Sequence, residues 1–451
     1  MKRKMTGRET LLVASMLFGM FFGAGNLIFP VYMGQVAGEH VWRASAGFLL
    51  TGVGIPLLGV AALGISRENG LLGLAGRAGK GFGLFFTCAL YLTIGPFFAI
   101  PRCATVSYTV GIEGILSGGK DSLALAVFSF AFFIIVLLFS LRPGEIMIWI
   151  GKVLNPLFLI LLGILLCRAL TSPAGAVHEA APAPAYDTGA FFTGVLEGYN
   201  TMDALAGLAF GIVVIDVIRR LGIEKPEDVA KSTVRAGIFS AILMAVIYVL
   251  VAVMGAQSRG AVPVSSNGGE ALSEIAKYYF GGAGALLLAV TVTTACIKTA
   301  VGLITSCAET FVELFPTLLS YRSWAVLFSA VSFLIANLGL NTIIEYSLPV
   351  LMFLYPLAIV LVLLTLMIKY TENTRIILQS ALGFTAVAAL LDGMRALPVS
   401  AREFLYLDQL LIQAEKCLPF SKMGFGWVLP AAVGTVVGVL AAKWKNRYRK
   451  I

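Results

Sequence analysis

The stretch Phe22-Gly23-Ala24-Gly25-Asn26-Leu27-Ile28-Phe29-Pro30 interrupts an apolar run that begins near Leu11. A second polar, glycine-bearing interruption, Glu197-Gly198-Tyr199-Asn200-Thr201-Met202-Asp203, lies inside a run that begins near Ala190. A helix in lipid gives up backbone hydrogen bonds only where protein or a water-filled cavity satisfies the freed groups. Interrupted helices at matching positions of two half-chains are the sequence mark of a secondary transporter's binding site.

Composition agrees with a membrane setting. The 451 residues are 59% hydrophobic and 13% charged, with a mean hydropathy of +0.91. A soluble domain carries about 25% charged residues. Uncharged runs near membrane-spanning length recur from end to end, so the chain reads as an all-α polytopic membrane protein of about twelve transmembrane helices. The basic start Met1-Lys2-Arg3-Lys4 precedes an apolar run that exceeds a signal-peptide core and offers no convincing cleavage site, which makes it a retained first span. Cys88, Cys103, Cys167, Cys296 and Cys307 lack metal or disulfide spacing and read as small core residues. His40 and His178 fall in predicted loops, which argues against a histidine metal site. No Walker motif, haem or zinc pattern, or nucleophile–base arrangement is present, so no enzyme and no cofactor is expected.

The net charge of +9 is distributed by side rather than gathered for nucleic acid. With the N-terminus inside, most of the 33 Lys and Arg are cytoplasmic, including Lys2 to Lys4, Arg67, Arg77 and Lys80, Arg219 to Arg235, Lys369 and Arg375, and the tail from Lys443 to Lys450. The positive-inside rule then puts both termini in the cytoplasm, with the tail anchored at anionic lipid. Residues 1–170 form a first unit of helices 1–5 and residues 187–370 a second of helices 6–10, opening with broken helices over 9–36 and 189–218. Five spans per unit give the two halves opposite orientation, an inverted repeat. Residues 371–451 supply helices 11 and 12 and the basic cytoplasmic tail. The proline-rich connection Ser172 to Tyr186 is expected to lack structure of its own. Arg395 to Lys422 suits an interfacial helix.

In the first break, amides near Gly23, Ala24 and Gly25 open the second half-helix, where positive partial charge suits a carboxylate. Carbonyls near Gly19 and Phe22, with the Asn26 side-chain oxygen, suit a cation. The plain alternative is close helix packing through Gly-x-Gly. In the second break, Glu197 and Asp203 stand with Tyr199 and Thr201 inside an apolar span, where an ionisable group marks a pathway or pairs with another charge. Arg102, after Gly95-Pro96 and Pro101, either snorkels outward or, the favoured reading, pairs with Glu197 or Asp203. Lys298 sits mid-span in Thr293-Thr294-Ala295-Cys296-Ile297-Lys298-Thr299-Ala300. It must reach water, meet an acid, or lose its proton. Either it faces an aqueous vestibule, or its titratable ammonium stands where a transported cation would otherwise sit.

The first break with Gly34-Gln35-Val36-Ala37-Gly38, Gly95-Pro96 with Ala99-Ile100-Pro101-Arg102, and Leu196-Glu197-Gly198-Tyr199 with Thr201-Met202-Asp203-Ala204-Leu205 resemble the bacterial branched-chain amino acid:cation symporters, the BrnQ or LIVCS family. The resemblance covers essentially the whole chain. It implies an inner-membrane importer of leucine, isoleucine and valine, usually sodium-coupled, with a LeuT-like five-plus-five core; separately, no obligate protein partner is expected. By position, Gly23, Ala24, Gly25 and Asn26 would hold the substrate carboxylate, and Glu197, Gly198, Tyr199, Thr201 and Asp203 its amine and side chain. A sodium site would join Gly19 and Phe22 to Ala295 and Thr299 of helix 8. Lys298 replaces a neutral ligand there, which leaves Na+ or H+ as the coupling ion. A second register uses Thr293 and Thr294 and keeps the sodium site intact.

Overall fold

A computed structural model of the chain describes residues 5–66, 68, 70–113, 122–141, 155–223, 225–367 and 374–448. Lys2 to Lys4, Arg67, Lys369, Arg449, Lys450 and the start of the fifth expected span at 146–154 lie outside the described residues. The first broken span is α1 (Gly7–Phe21) and α2 (Gly25–Ala37). Thr6 and Glu9 open α1 with a reciprocal capping box. Next come α3 (Val41–Leu49) and α4 (Ile55–Ser66), a short α5 (Leu71–Gly76), then α6 (Lys80–Leu92) and α7 (Ala99–Tyr108). Then follow α8 (Ser122–Ser140) and α9 (Asn155–Thr171).

The second broken span is α10 (Ala190–Glu197) and α11 (Asp203–Arg220). It is followed by α12 (Pro226–Ser258), α13 (Gly268–Leu314), α14 (Tyr321–Ala336) and α15 (Leu340–Met367). The chain continues with α16 (Thr374–Arg395), the short α17 (Val399–Phe404) and α18 (Asp408–Cys417), and α19 (Val428–Tyr448). A helix occupies the described part of every expected span. Among the described residues, eight segments are long and apolar enough to cross a bilayer, and nine if α10 and α11, bent by 45°, count as one. The expected eighth span is the inner part of α13, which bends at Gly281 (φ 63°), so an additional helical stretch precedes it.

The two broken pairs pack with reciprocal partners. α12, the helix after the second pair, packs along α1 and α2, while α3 and α4, after the first, pack along α10 and α11. The same residue type makes both contacts close. Gly34 meets the Ala252 carbonyl and Gly255 the Val31 carbonyl; on the other side Gly47 meets the Phe191 carbonyl and Gly194 the Ala44 carbonyl. A Cβ at any of the four would intrude on the facing backbone. Without water in the bilayer, close packing of small residues is a main source of helix association.

The connection from Ser172 to Tyr186 is ordered, contrary to expectation. It contains a helical turn at Val177–Glu179 and a helix from Pro184 to Asp187. Its backbone is docked by the Glu39 amide on the Ala180 carbonyl (2.9 Å) and the Ala183 amide on the Val36 carbonyl (2.8 Å). Arg259 adds a bond to the Ala181 carbonyl (3.3 Å). These are main-chain acceptors, which proline-rich composition does not reveal. The interfacial segment divides into α17 and α18, with Arg395 paired to Glu415 at 2.6 Å.

Gly34→Ala and Gly194→Ala should each cost about 1–3 kcal/mol by overpacking. Apparent melting temperature in detergent should fall for both and stay unchanged for Gly302→Ala, where nothing lies within 4 Å. Equal melting of all three would contradict the reciprocal glycine contacts.

Candidate functional site

The first break is short. Phe22 turns extended after α1 (φ −74°, ψ 102°), and α2 resumes at Gly25 without a side-chain cap. The Gly23 amide donates to Asn26 Oδ1 at 2.9 Å, so Asn26 satisfies a backbone group its own break has freed. In the second break the chain tightens over Gly198–Thr201, and Met202 adopts the left-handed conformation (φ 62°) before α11 starts at Asp203. The Val195 carbonyl accepts from Thr51 Oγ1 (2.7 Å), and the Asp203 amide donates to Thr201 Oγ1 (3.3 Å).

One side-chain bridge joins the two breaks. Asn26 Nδ2 donates to Asp203 Oδ2 at 2.6 Å and also to the Tyr248 hydroxyl. That hydroxyl in turn donates to Asp203 Oδ2 at 2.8 Å. Asn26, Asp203 and Tyr248 are all buried, and a buried carboxylate demands such donors. The Asn26 oxygen serves the Gly23 amide, a different job from the cation contact expected of it. Tyr248 was not legible as a site residue. Its one signal is a lone hydroxyl in the apolar run Ala245-Val246-Ile247-Tyr248-Val249-Leu250, which needs a partner when buried.

Arg102 differs from expectation. Its Nη1 donates to the Asn200 carbonyl at 2.7 Å, and its guanidinium carbon lies 4.9 Å over the Phe29 ring. Within the described residues it makes no ion pair with Glu197 or Asp203. It therefore satisfies a carbonyl freed by the second break while stacking on the half-helix that follows the first. Glu197 instead accepts from Asn200 Nδ2 at 3.0 Å.

Lys298 reaches the first break from α13, its Nζ donating to the Gly19 carbonyl at 2.9 Å. Thr299 Oγ1 donates to the Ala295 carbonyl at 3.1 Å and lies 3.2 Å from where a Gly23 Cβ would be. Gly19, Phe22 and Thr299 were the sodium donors expected from sequence. The ammonium takes the Gly19 carbonyl and adds a full positive charge among them, so this donor set does not fit a sodium ion. In the second register, neither Thr293 nor Thr294 lines the cavity beside the breaks.

That cavity measures about 50 Å³, enough for a few waters at roughly 10–15 Å³ each. Gly23, Ala24, Gly25, Asn26, Arg102, Thr201, Asp203 and Thr299 form its polar wall. Met20, Phe21, Ile94, Phe210 and Leu303 form an apolar one. Met20 and Phe21 precede the first break and Phe210 follows the second, so the space extends toward the end of the bundle bearing the termini. Glu197, Gly198 and Tyr199 do not line it. Gly198 packs against Thr51 and the Phe48 carbonyl, and the Tyr199 ring stacks on Tyr355 at 4.1 Å. Gly19, Phe22, Ala295 and Lys298 also lie beside it rather than in its wall.

Two broken helices facing each other across a mixed polar and apolar cavity define a secondary transporter. A profile of the family described as branched-chain amino acid transport protein matches residues 6–445, and the chain belongs to that family. It is 51% identical over 448 residues to the branched-chain amino acid permease BrnQ of Lactobacillus delbrueckii subsp. lactis, covering 98% of each chain. With BrnQ of Bacillus subtilis it shares 39% over 447 residues, 99% of this chain and 100% of the relative. Among solved structures, Mhp1, a nucleobase-cation-symport-1 family transporter in a closed conformation, aligns with a TM-score of 0.61 at 15% identity. The match covers 96% of this chain and 92% of Mhp1. The inward-facing form of Mhp1 gives 0.60. The fold is accordingly the LeuT-like one that the paired breaks lead one to expect.

A Cβ at Gly25 would lie 3.0 Å from Arg102 Nη2. Gly25→Ala should therefore displace the guanidinium from the Asn200 carbonyl. Losing a hydrogen bond to a charged group costs about 1.5–3 kcal/mol, so amino acid uptake should drop about tenfold or more at normal expression. Uptake equal to wild type would show that Arg102 has no part in the site.

Proposed function

We propose that the chain imports branched-chain amino acids across the bacterial cytoplasmic membrane by alternating access, with the substrate held between the two breaks. The observation that carries this is the Asn26–Asp203–Tyr248 bridge beside a cavity polar on one side and apolar on the other. The substrate carboxylate is received by the first-turn amides of α2 near Gly23 to Gly25 and by Arg102. The ammonium is received by Asp203 with the Thr201 hydroxyl. The branched side chain lies against Phe21, Ile94, Phe210 and Leu303, where each buried CH2 contributes about 0.8 kcal/mol. The small cavity must widen to admit a whole amino acid, which rearranging the half-helices about their breaks allows. Both termini face the cytoplasm, in keeping with the positive-inside rule.

Coupling follows from Lys298. An ammonium on the Gly19 carbonyl stands in for the sodium that would join α1 to α13, so uptake proceeds without sodium and draws on protons or on the substrate gradient alone. Uptake of labelled leucine into proteoliposomes, with sodium replaced by choline, should be undiminished. Strict sodium dependence would refute the substitution. Lys298→Thr should make uptake respond to sodium, and a variant that transports normally yet ignores sodium would count against it.

The apolar wall also suits other small apolar amino acids. Leucine uptake should be blocked by excess isoleucine or valine and barely by glycine, glutamate or lysine. Equal competition from alanine and leucine would move the assignment to smaller substrates.

A further inference from the structure

A second, larger cavity of about 850 Å³ lies between α5, α6 and α16, at the end of the bundle that carries both termini. Arg77, Lys80, Arg375 and Gln379 line it, and among the described residues no carboxylate does. Arg77 is matched by Glu68, its Nε donating to Oε1 at 3.0 Å. Lys80 and Arg375 are exposed, and neither forms an ion pair among the described residues. Gly79 (φ 156°) turns the chain so that α6 begins at Lys80 without a side-chain cap, and this first turn belongs to the cavity wall. The two sides converge, since a Cβ at Gly79 would lie 3.5 Å from Gln379 Nε2 and 3.8 Å from Arg375 Nη2.

The wall changes character with depth. Arg375, Gln379, Leu382 and Ala386 follow at i, i+4, i+7 and i+11 along one face of α16, a fall from cation to hydrocarbon over roughly 16 Å at 1.5 Å per residue. Phe82, in the first turn of α6, also lines the cavity. Just beside it, Phe384 and Val387 are exposed on the surface a membrane would cover.

We propose that this cavity binds an anionic phospholipid, its phosphate at Lys80, Arg375 and the first turn of α6 and its acyl chain along Leu382 and Ala386. A free phosphate would satisfy the cations and leave the apolar face uncovered. A zwitterionic lipid would bring a choline group to a wall whose described side chains include no carboxylate, Glu68 being taken up by Arg77. The lipid would join the α5–α6 connection to α16. Only the leaflet rests on the orientation proposed above, because binding to detergent-purified protein is independent of it and of the substrate reading.

The test is native mass spectrometry and thermal unfolding of the purified, delipidated full chain with added phosphatidylglycerol, phosphatidylcholine or inorganic phosphate. Phosphatidylglycerol should be retained and should raise the melting temperature, with phosphatidylcholine and phosphate doing neither. Lys80→Gln with Arg375→Gln should weaken phosphatidylglycerol binding about thirtyfold, while Lys80→Arg with Arg375→Lys preserves it. Equal retention of both lipids, unchanged binding by the double glutamine variant, or a shift reproduced by phosphate alone would overturn the proposal. Should the glutamine variant not fold, competition between the two lipids on the wild-type protein decides the matter.

Discussion

Everything in this site follows from one constraint: a helix broken within a membrane must find partners for the backbone groups it frees. Here the partners are shared between breaks. Asn26 satisfies Gly23 of its own break and donates across to Asp203 at the start of α11, while Tyr248 completes the carboxylate's shell. Arg102 satisfies Asn200 of the second break and stacks over Phe29 of the helix that follows the first. Each break therefore meets its freed groups with residues that also contact the other.

The same economy explains why α13 bears a lysine in mid-membrane. The Gly19 carbonyl, released where α1 ends, needs a donor or a cation, and the Lys298 ammonium is both. A charge buried in a bilayer is costly unless it is matched. Helix-end carbonyls carry negative partial charge, so the match is electrostatic as well as geometric. The Lys298–Gly19 bond thereby ties α1 to α13 through a side chain of the protein itself.

Much of this was legible in the sequence. Glycine beside asparagine or acid inside an apolar run has few explanations in lipid, and the positions of both breaks and the alternation of spans follow from it. The partners were less legible, because acceptors and distances are not written in residue type. Arg102 suggested an acid and found the Asn200 carbonyl, since a main-chain oxygen leaves no mark in composition. Glu197 looked as exposed to chemistry as Asp203, yet it is turned to Asn200 and away from the cavity. Tyr248 lies in an apolar stretch of its helix, and only the packing of α12 along α1 and α2 brings it to the bridge. The order in the Ser172–Tyr186 connection was hidden for the same reason, as it rests on main-chain bonds to α2.

The interdependence of the breaks can be measured directly. Leucine affinity of the purified protein, taken for Asn26→Ala, Asp203→Ala and the double variant, forms a thermodynamic cycle across the bridge. The shared hydrogen bond predicts a coupling within the range of about 0.5–3 kcal/mol found for residues in one network, with the double variant little worse than the poorer single one. Strict additivity of the two losses would mean that each break stands alone, and the account of a jointly held site would be wrong.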